Sequence, residues 1–203
     1  MRKGWPRPRP GRPFGPWLLL AEALLLVSLV AGVVGALSLP EPVRREAAGR
    51  LTLPAGGLAP GQEVLAAALR RNLLESALPA WLLGLSLAGF PLVWAIVLWR
   101  GFQVGFAAAF LWGWAGSGRR AALLTLLPHN LVALPALALL AAALARLSAR
   151  IFVSLWRGRP QPRGPLLADG LAALGATLLL VGASYVEAYL TPRLLTWTLE
   201  LLG

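Results

Sequence analysis

The chain is patterned as long apolar blocks separated by short clusters of arginine, proline and glycine. Five blocks predict helices, at 17–39, 77–99, 102–115, 121–144 and 166–190. A bilayer core about 30 Å thick is crossed by about 20 helical residues, so four of the blocks have the length of a span. The block 102–115 is shorter and crosses only by tilting or by thinning the bilayer; the arginine distribution set out below requires a crossing there. Between the first two blocks, 40–76 is interrupted by Pro40, Pro42, Pro54 and Pro60 and by Gly56, Gly57 and Gly61. Short helices fit between the breaks, at 41–51 and 62–76. In the second, Leu65, Leu69 and Leu73 recur every four residues beside Arg70, Arg71 and Glu75. That spacing predicts an amphipathic helix lying on the membrane or at the outer mouth of the bundle.

The blocks differ in their small and polar residues. Ala31 and Gly35 lie four apart in the first, and Gly101, Gly105 and Ala109 form a stripe in the third. Small residues so spaced let helices approach closely. Glu22 sits near the start of the first block, where its carboxylate can snorkel to the interface; a buried functional carboxylate is the other reading. Residues 1–16 alternate basic residues with proline and predict an extended, solvated cytoplasmic tail. Tail and first block together resemble a signal peptide, but the block is longer than an h-region of about 7–15 residues and is expected to remain as a span. GSGRR at 116–120 predicts a turn. The stretch 146–163 predicts a loop studded with Arg146, Arg150, Arg157, Arg159 and Arg163, and 194–202 a last short amphipathic piece.

Composition turns these blocks into a fold class. Of 203 residues, 58% are hydrophobic and only 13% charged, far from the balance of a soluble domain. The expected fold is all-α, a polytopic transmembrane helical bundle of about five spans whose immediate partner is the lipid bilayer. The net charge of +11 does not imply nucleic acid, because the arginines sit at the ends of apolar runs without aromatic interleaving. They fit membrane orientation and anionic headgroups instead. With the N-terminus inside and the C-terminus outside, eleven Lys and Arg residues fall on the cytoplasmic side, including Arg100, against eight outside. This places 40–76 outside. Cysteine is absent, which removes disulfides, thiolate chemistry and cysteine zinc sites. No phosphate-binding Gly-x-x-x-x-Gly-Lys loop occurs. The sequence leaves oligomeric state open and allows a homo-oligomer.

Chemistry concentrates in 124–135, LTLLPHNLVALP, which holds the chain's single histidine, His129, and Asn130 between Pro128 and Pro135. Polar groups inside an apolar helix are costly unless paired. With the expected orientation, Glu187 near the end of the fifth block shares a leaflet with His129. A carboxylate and an imidazole at one depth relieve each other's desolvation, and Asn130 can cap carbonyls freed by Pro135. The sequence therefore predicts a kinked fourth helix whose His129 or Asn130 faces the fifth, with Glu187 within about 8 Å of 128–135, the reach of one bridging side chain pair. Three chemical readings compete. A zinc site needs three or four ligands, and one histidine without cysteine does not supply them. An intramembrane serine protease would use Ser86 of Gly84-Leu85-Ser86-Leu87-Ala88 with His129 as base, against a packing surface as the ordinary meaning of such a run. A transporter or channel subunit would relay protons or ions through His129 and Glu187.

Several ordered pieces resemble the stage II sporulation protein M family over nearly the whole chain from about residue 17. They are Arg71-Asn72-Leu73, Arg100-Gly101-Phe102 with Gly105, Leu127-Pro128-His129-Asn130 with Pro135, and Glu187-Ala188-Tyr189-Leu190-Thr191-Pro192. The wider family often carries Pro-His-Gly followed by a Glu before the second proline; here Asn130 replaces the Gly, which fits the sporulation branch, and Ala133 stands at the Glu position. The resemblance implies a non-enzymatic scaffold without cofactor in the mother-cell membrane at the sporulation septum. Its implied partners are stage II sporulation proteins D and P, peptidoglycan hydrolases of septal thinning and engulfment. The family positions implied to matter are Asn72, Gly101, Gly105, Pro128, His129, Asn130, Pro135, Glu187, Tyr189 and Pro192, as packing and motif residues rather than catalysts or metal ligands.

Overall fold

The computed structural model describes residues 14–43, 46, 61–87, 89–114, 119–158, 163–194 and 197. The expected tail before Phe14, most of the 41–51 helix, the 116–118 turn and nearly all of the final amphipathic piece lie outside these residues. The described chain is all-helical. We number its helices α1 (Gly15–Leu37), α2 (62–84), α3 (Gly89–Trp114), α4 (Arg119–Arg157) and α5 (163–194). Four of them, all but α2, contain stretches long and apolar enough to cross a membrane. The charged residues Glu63, Arg70, Arg71 and Glu75 set α2 apart.

Neighbouring contacts fix the directions. Trp17 of α1 meets Phe90 and Trp94 at one end of α3, while Ala36 and Phe110 pack together at the other, so α1 and α3 are parallel. Trp81 Nε1 donates to Thr177 Oγ1 at 3.1 Å, and Asn72 Nδ2 to Ser184 Oγ at 2.9 Å, so α2 and α5 are antiparallel. Arg146 on α4 reaches Asp169 on α5, and His129 faces Glu187, so α4 and α5 are antiparallel too. Arg100 on α3 bonds Asn72 on α2 while Gly89 abuts Leu83 at the turn between them, so α2 and α3 are antiparallel and the five helices alternate in direction.

Three boundaries differ from the sequence reading. Arg100-Gly101, expected to end the second span, lies in the middle of α3, which runs unbroken through 102–115 as far as Trp114. The break falls instead at 85–87, inside the apolar block 77–99. There Leu85 N–H donates to Trp81 O, Ser86 N–H to Leu83 O, and Ser86 Oγ to Leu83 O at 2.9 Å. Ser148 on α4 closes the turn by donating to Ser86 O at 2.7 Å. The turn satisfies its backbone internally, so it needs no polar sequence signal. The 62–76 segment is not a separate helix: it continues as α2, which buries Ala68, Asn72, Ser76, Ala77 and Ala80. The arginines 146, 150 and 157 belong to the second half of α4 rather than to a loop.

Packing explains the order. In α4, 72% of the apolar window is buried, against 22–33% in the other three, so α4 is the central helix. Its alanines let neighbours close in on both sides. Ala138, Ala141, Ala142 and Ala145 pack on α1 and α3, while Leu137, Leu140 and Leu144 pack on Ala77, Ala80, Ala173, Ala176 and Leu180 of α2 and α5. The α1–α3 seam is built from glycine. A Cβ on Gly105 would collide with the Leu29 carbonyl, one on Gly101 with Ser28 Oγ and the Leu25 carbonyl, and one on Gly32 with the backbone of Phe102 and Phe106. The α1 contact is made by Ser28, Gly32 and Ala36. Ala31, half of the expected pair, faces outward, because the helix turns it about 100° from Gly32.

Candidate functional site

Two stretches of widened helix face each other at one level of the bundle. Arg70–Ala77 in α2 and Val186–Leu190 in α5 have π-type spacing. Each ends two residues before a proline, Pro79 and Pro192. A proline ring clashes with the carbonyl four residues back, and widening the preceding turn by one residue relieves that clash while keeping the backbone bonded five residues apart. Leu78 N–H donates to Leu73 O and Thr191 N–H to Val186 O, both at that spacing. The hydroxyls of Ser76 and Thr191 repeat it, donating to Arg71 O at 3.1 Å and to Val186 O at 3.3 Å. Pro192, a family-motif position, thus shapes the turn that carries Glu187.

The polar side chains gather there. Arg71 forms an ion pair with Glu187. Arg100 Nη2 donates to Asn72 Oδ1 at 3.1 Å, Asn72 Nδ2 donates to Ser184 Oγ, and Ser184 Oγ donates to Leu180 O at 3.0 Å. A relay of hydrogen bonds therefore runs from α3 through α2 to α5, with every member buried: Arg100 8%, Asn72 1% and Ser184 0% exposed. His129 and Asn130 on α4 are buried beside it. His129 Nε2 lies 3.9 Å from Glu187 Oε2, inside the expected 8 Å but beyond hydrogen-bond length. Glu187 is directed chiefly to Arg71, a partner the sequence reading assigned to the membrane surface.

The Pro-His-Asn-Pro segment differs from expectation in one detail. Helix α4 runs through Pro128 and Pro135 without a break. Pro135 withholds a donor from the Leu131 carbonyl, but Asn130 Nδ2 donates to Leu126 O at 2.8 Å, one turn away. The amide reaches back along its own helix because helical side chains tilt toward the N-terminus, over the preceding turn. Among the family positions, Gly101 and Gly105 belong to the α1–α3 seam, while Tyr189 stacks on Tyr185 with ring centroids 6.1 Å apart. Asn72, His129, Asn130 and Glu187 share the polar layer.

A cleft of about 400 Å³ opens beside this layer, lined by Arg71, Arg100, His129 and Asn130 together with Trp99 and Phe102. Ser86, the candidate nucleophile, sits in the α2–α3 turn, at the other end of α2 from Asn72, and its hydroxyl is bonded to Leu83 O. Among the described residues no group of three His, Cys, Asp or Glu could hold a metal ion.

A second polar centre escaped the sequence reading. Asp169 on α5 is 3% exposed and pairs with Arg146 Nη2 at 3.1 Å and Arg150 Nε at 2.9 Å on α4. The Arg146 guanidinium also lies 4.8 Å from the centre of the Phe14 ring, which ties the start of α1 to the same point. The available signal was the four-residue spacing of Arg146 and Arg150, which puts both on one helix face, together with a single acidic residue in 147–186.

No curated protein and no solved structure matches the chain. Residues 21–192, spanning all five helices, match the family described as stage II sporulation protein M. The multi-helix apolar bundle and that match agree, and the chain belongs to the stage II sporulation protein M family, as a sporulation-related membrane protein.

Proposed function

We propose that this protein is a non-enzymatic scaffold, which recruits and positions peptidoglycan hydrolases for septal thinning and engulfment in endospore formation. One observation carries the reading: the buried polar groups join helices. Glu187 ties α5 to α2, Asn72 ties α2 to both α3 and α5, and Asp169 ties α5 to α4. Groups locked into such joints hold a shape for partners rather than turn over a substrate. The partners expected from the family resemblance are stage II sporulation proteins D and P. We place the N-terminus in the cytoplasm, so that 40–61 faces the hydrolases outside the mother-cell membrane.

The cleft reaching His129 favours a second reading, a small transporter or channel subunit using His129 and Glu187. The scaffold reading is supported over it by the packing along α4: Leu137, Leu140 and Leu144 are buried against α2 and α5.

The test is affinity purification of the full chain from detergent-extracted membranes of sporulating cells. It compares the natural 40–61 segment with a Gly/Ser replacement of equal length that leaves α2 intact. Proteins D and P should accompany the natural chain and be depleted with the replacement. A folded, septum-localised chain that brings down neither hydrolase would refute the proposal.

A further inference from the structure

The charges of the polar layer do not balance. Two guanidinium groups, Arg71 and Arg100, meet one carboxylate, Glu187, which pairs with Arg71. The next nearest carboxylate, Glu75, lies on the exposed face with Arg70 at 3.6 Å. Among the described residues, Arg100 is hydrogen-bonded only to the neutral amide oxygen of Asn72, although it is 8% exposed and carries five donors. With one carboxylate for two guanidinium groups, a positive charge is left in excess inside the bundle, and that is costly in a membrane. The cost falls if an anion enters from outside, and the cleft is where one can.

The lining describes that anion. Arg100 and Arg71 supply guanidinium forks, which match the oxygens of a phosphate. Trp99, 63% exposed and stacked on Phe102, supplies an apolar wall beside them. A volume of about 400 Å³ falls among small-ligand sites, which run from about 300 to 1,000 Å³. A free phosphate would use the forks and leave the aromatic wall idle. An amphiphile uses both.

We infer that the cleft beside Arg100 binds a phosphate oxyanion, the headgroup of an anionic membrane lipid whose chains lie along Trp99 and Phe102. A phosphodiester with a neutral headgroup, as in phosphatidylglycerol, carries one negative charge and cancels the excess of the layer. A zwitterionic lipid brings an ammonium into the same space and gains nothing.

The full chain is reconstituted in phosphatidylcholine vesicles containing a small fraction of phosphatidylglycerol with brominated chains, and tryptophan quenching is read. Trp99→Phe isolates the Trp99 signal. Quenching by brominated phosphatidylglycerol should exceed that by brominated phosphatidylcholine at equal fraction. Arg100→Gln should weaken the preference about ten-fold, the loss of one charge-assisted contact. Ala107→Phe fills the cleft with every charge retained, and should abolish the preference even if Arg100→Gln perturbs folding. Excess inorganic phosphate, matched with chloride for ionic strength, should leave the preference intact. Protection by phosphate would show a site for the free ion and overturn the lipid assignment. Equal quenching by the two lipids, or a preference that survives both Arg100→Gln and Ala107→Phe, would overturn the site itself.

Discussion

Replacing Glu187 by glutamine keeps the shape of the side chain and removes the carboxylate that pairs with Arg71. Breaking a buried pair from one side costs about 3–5 kcal/mol. The Glu187 side chain is 17% exposed but that of Arg71 is 36% exposed, so solvent or headgroups screen part of the loss and about 2–3 kcal/mol is expected. Arg71→Gln alone should cost less, about 1–2 kcal/mol, because Glu187 retains the field of Arg100. In the double variant the orphaned charge is gone, and the total should fall short of the sum by about 1–2 kcal/mol. Unfolding of the detergent-solubilised chain with sodium dodecyl sulfate, followed by tryptophan emission, measures all four states. Trp81 is a fitting reporter, since its indole bonds Thr177 across the same α2–α5 contact. Additive effects would refute the claim that this pair joins the two helices.

Gly105→Val forces a side chain onto the Leu29 carbonyl, a backbone atom that cannot rotate away; the expected loss is about 1–3 kcal/mol. Gly175→Ala, with nothing within 4 Å of the new Cβ, should stay within about 0.5 kcal/mol of the natural chain; thermal unfolding in detergent compares the two. Asp169→Asn leaves Arg146 and Arg150 facing one another and should cost about 3–5 kcal/mol. Asp169→Asn with Arg150→Met should recover part of that loss in the same assay. Because the chain has no cysteine, Ser38→Cys and Arg157→Cys can be labelled singly in intact cells. With the N-terminus inside, an impermeant maleimide should reach residue 38 and not residue 157; the opposite pattern would invert the proposed topology.

The polar layer was partly legible before any coordinates. His129 and Glu187 stood out because an ionisable residue in an apolar block demands a partner, and the structure places the two side by side. Arg71, Asn72 and Arg100 were misassigned for one shared reason. A polar residue in an apolar run reads as the edge of a span, whereas in the bundle Asn72 accepts from Arg100 on α3 and donates to Ser184 on α5. Ser86 showed the converse, since an apolar run concealed a turn whose hydrogen bonds close locally and onto Ser148.

The sequence by itself determined that this is an all-helical membrane chain, which family it resembles, and that the Pro-His-Asn segment must find a partner near Glu187. Those conclusions follow from hydropathy and the cost of unpaired polar groups, which act on each segment alone. Only the tertiary structure decided where α2 ends and α3 begins, that α4 is the centre, and that Arg71 rather than His129 is the main partner of Glu187. These depend on which helix faces lie together. The glycine contacts of α1 with α3 and the alanine faces of α4 set those faces through close approach between segments distant in sequence, and no local pattern encodes the match.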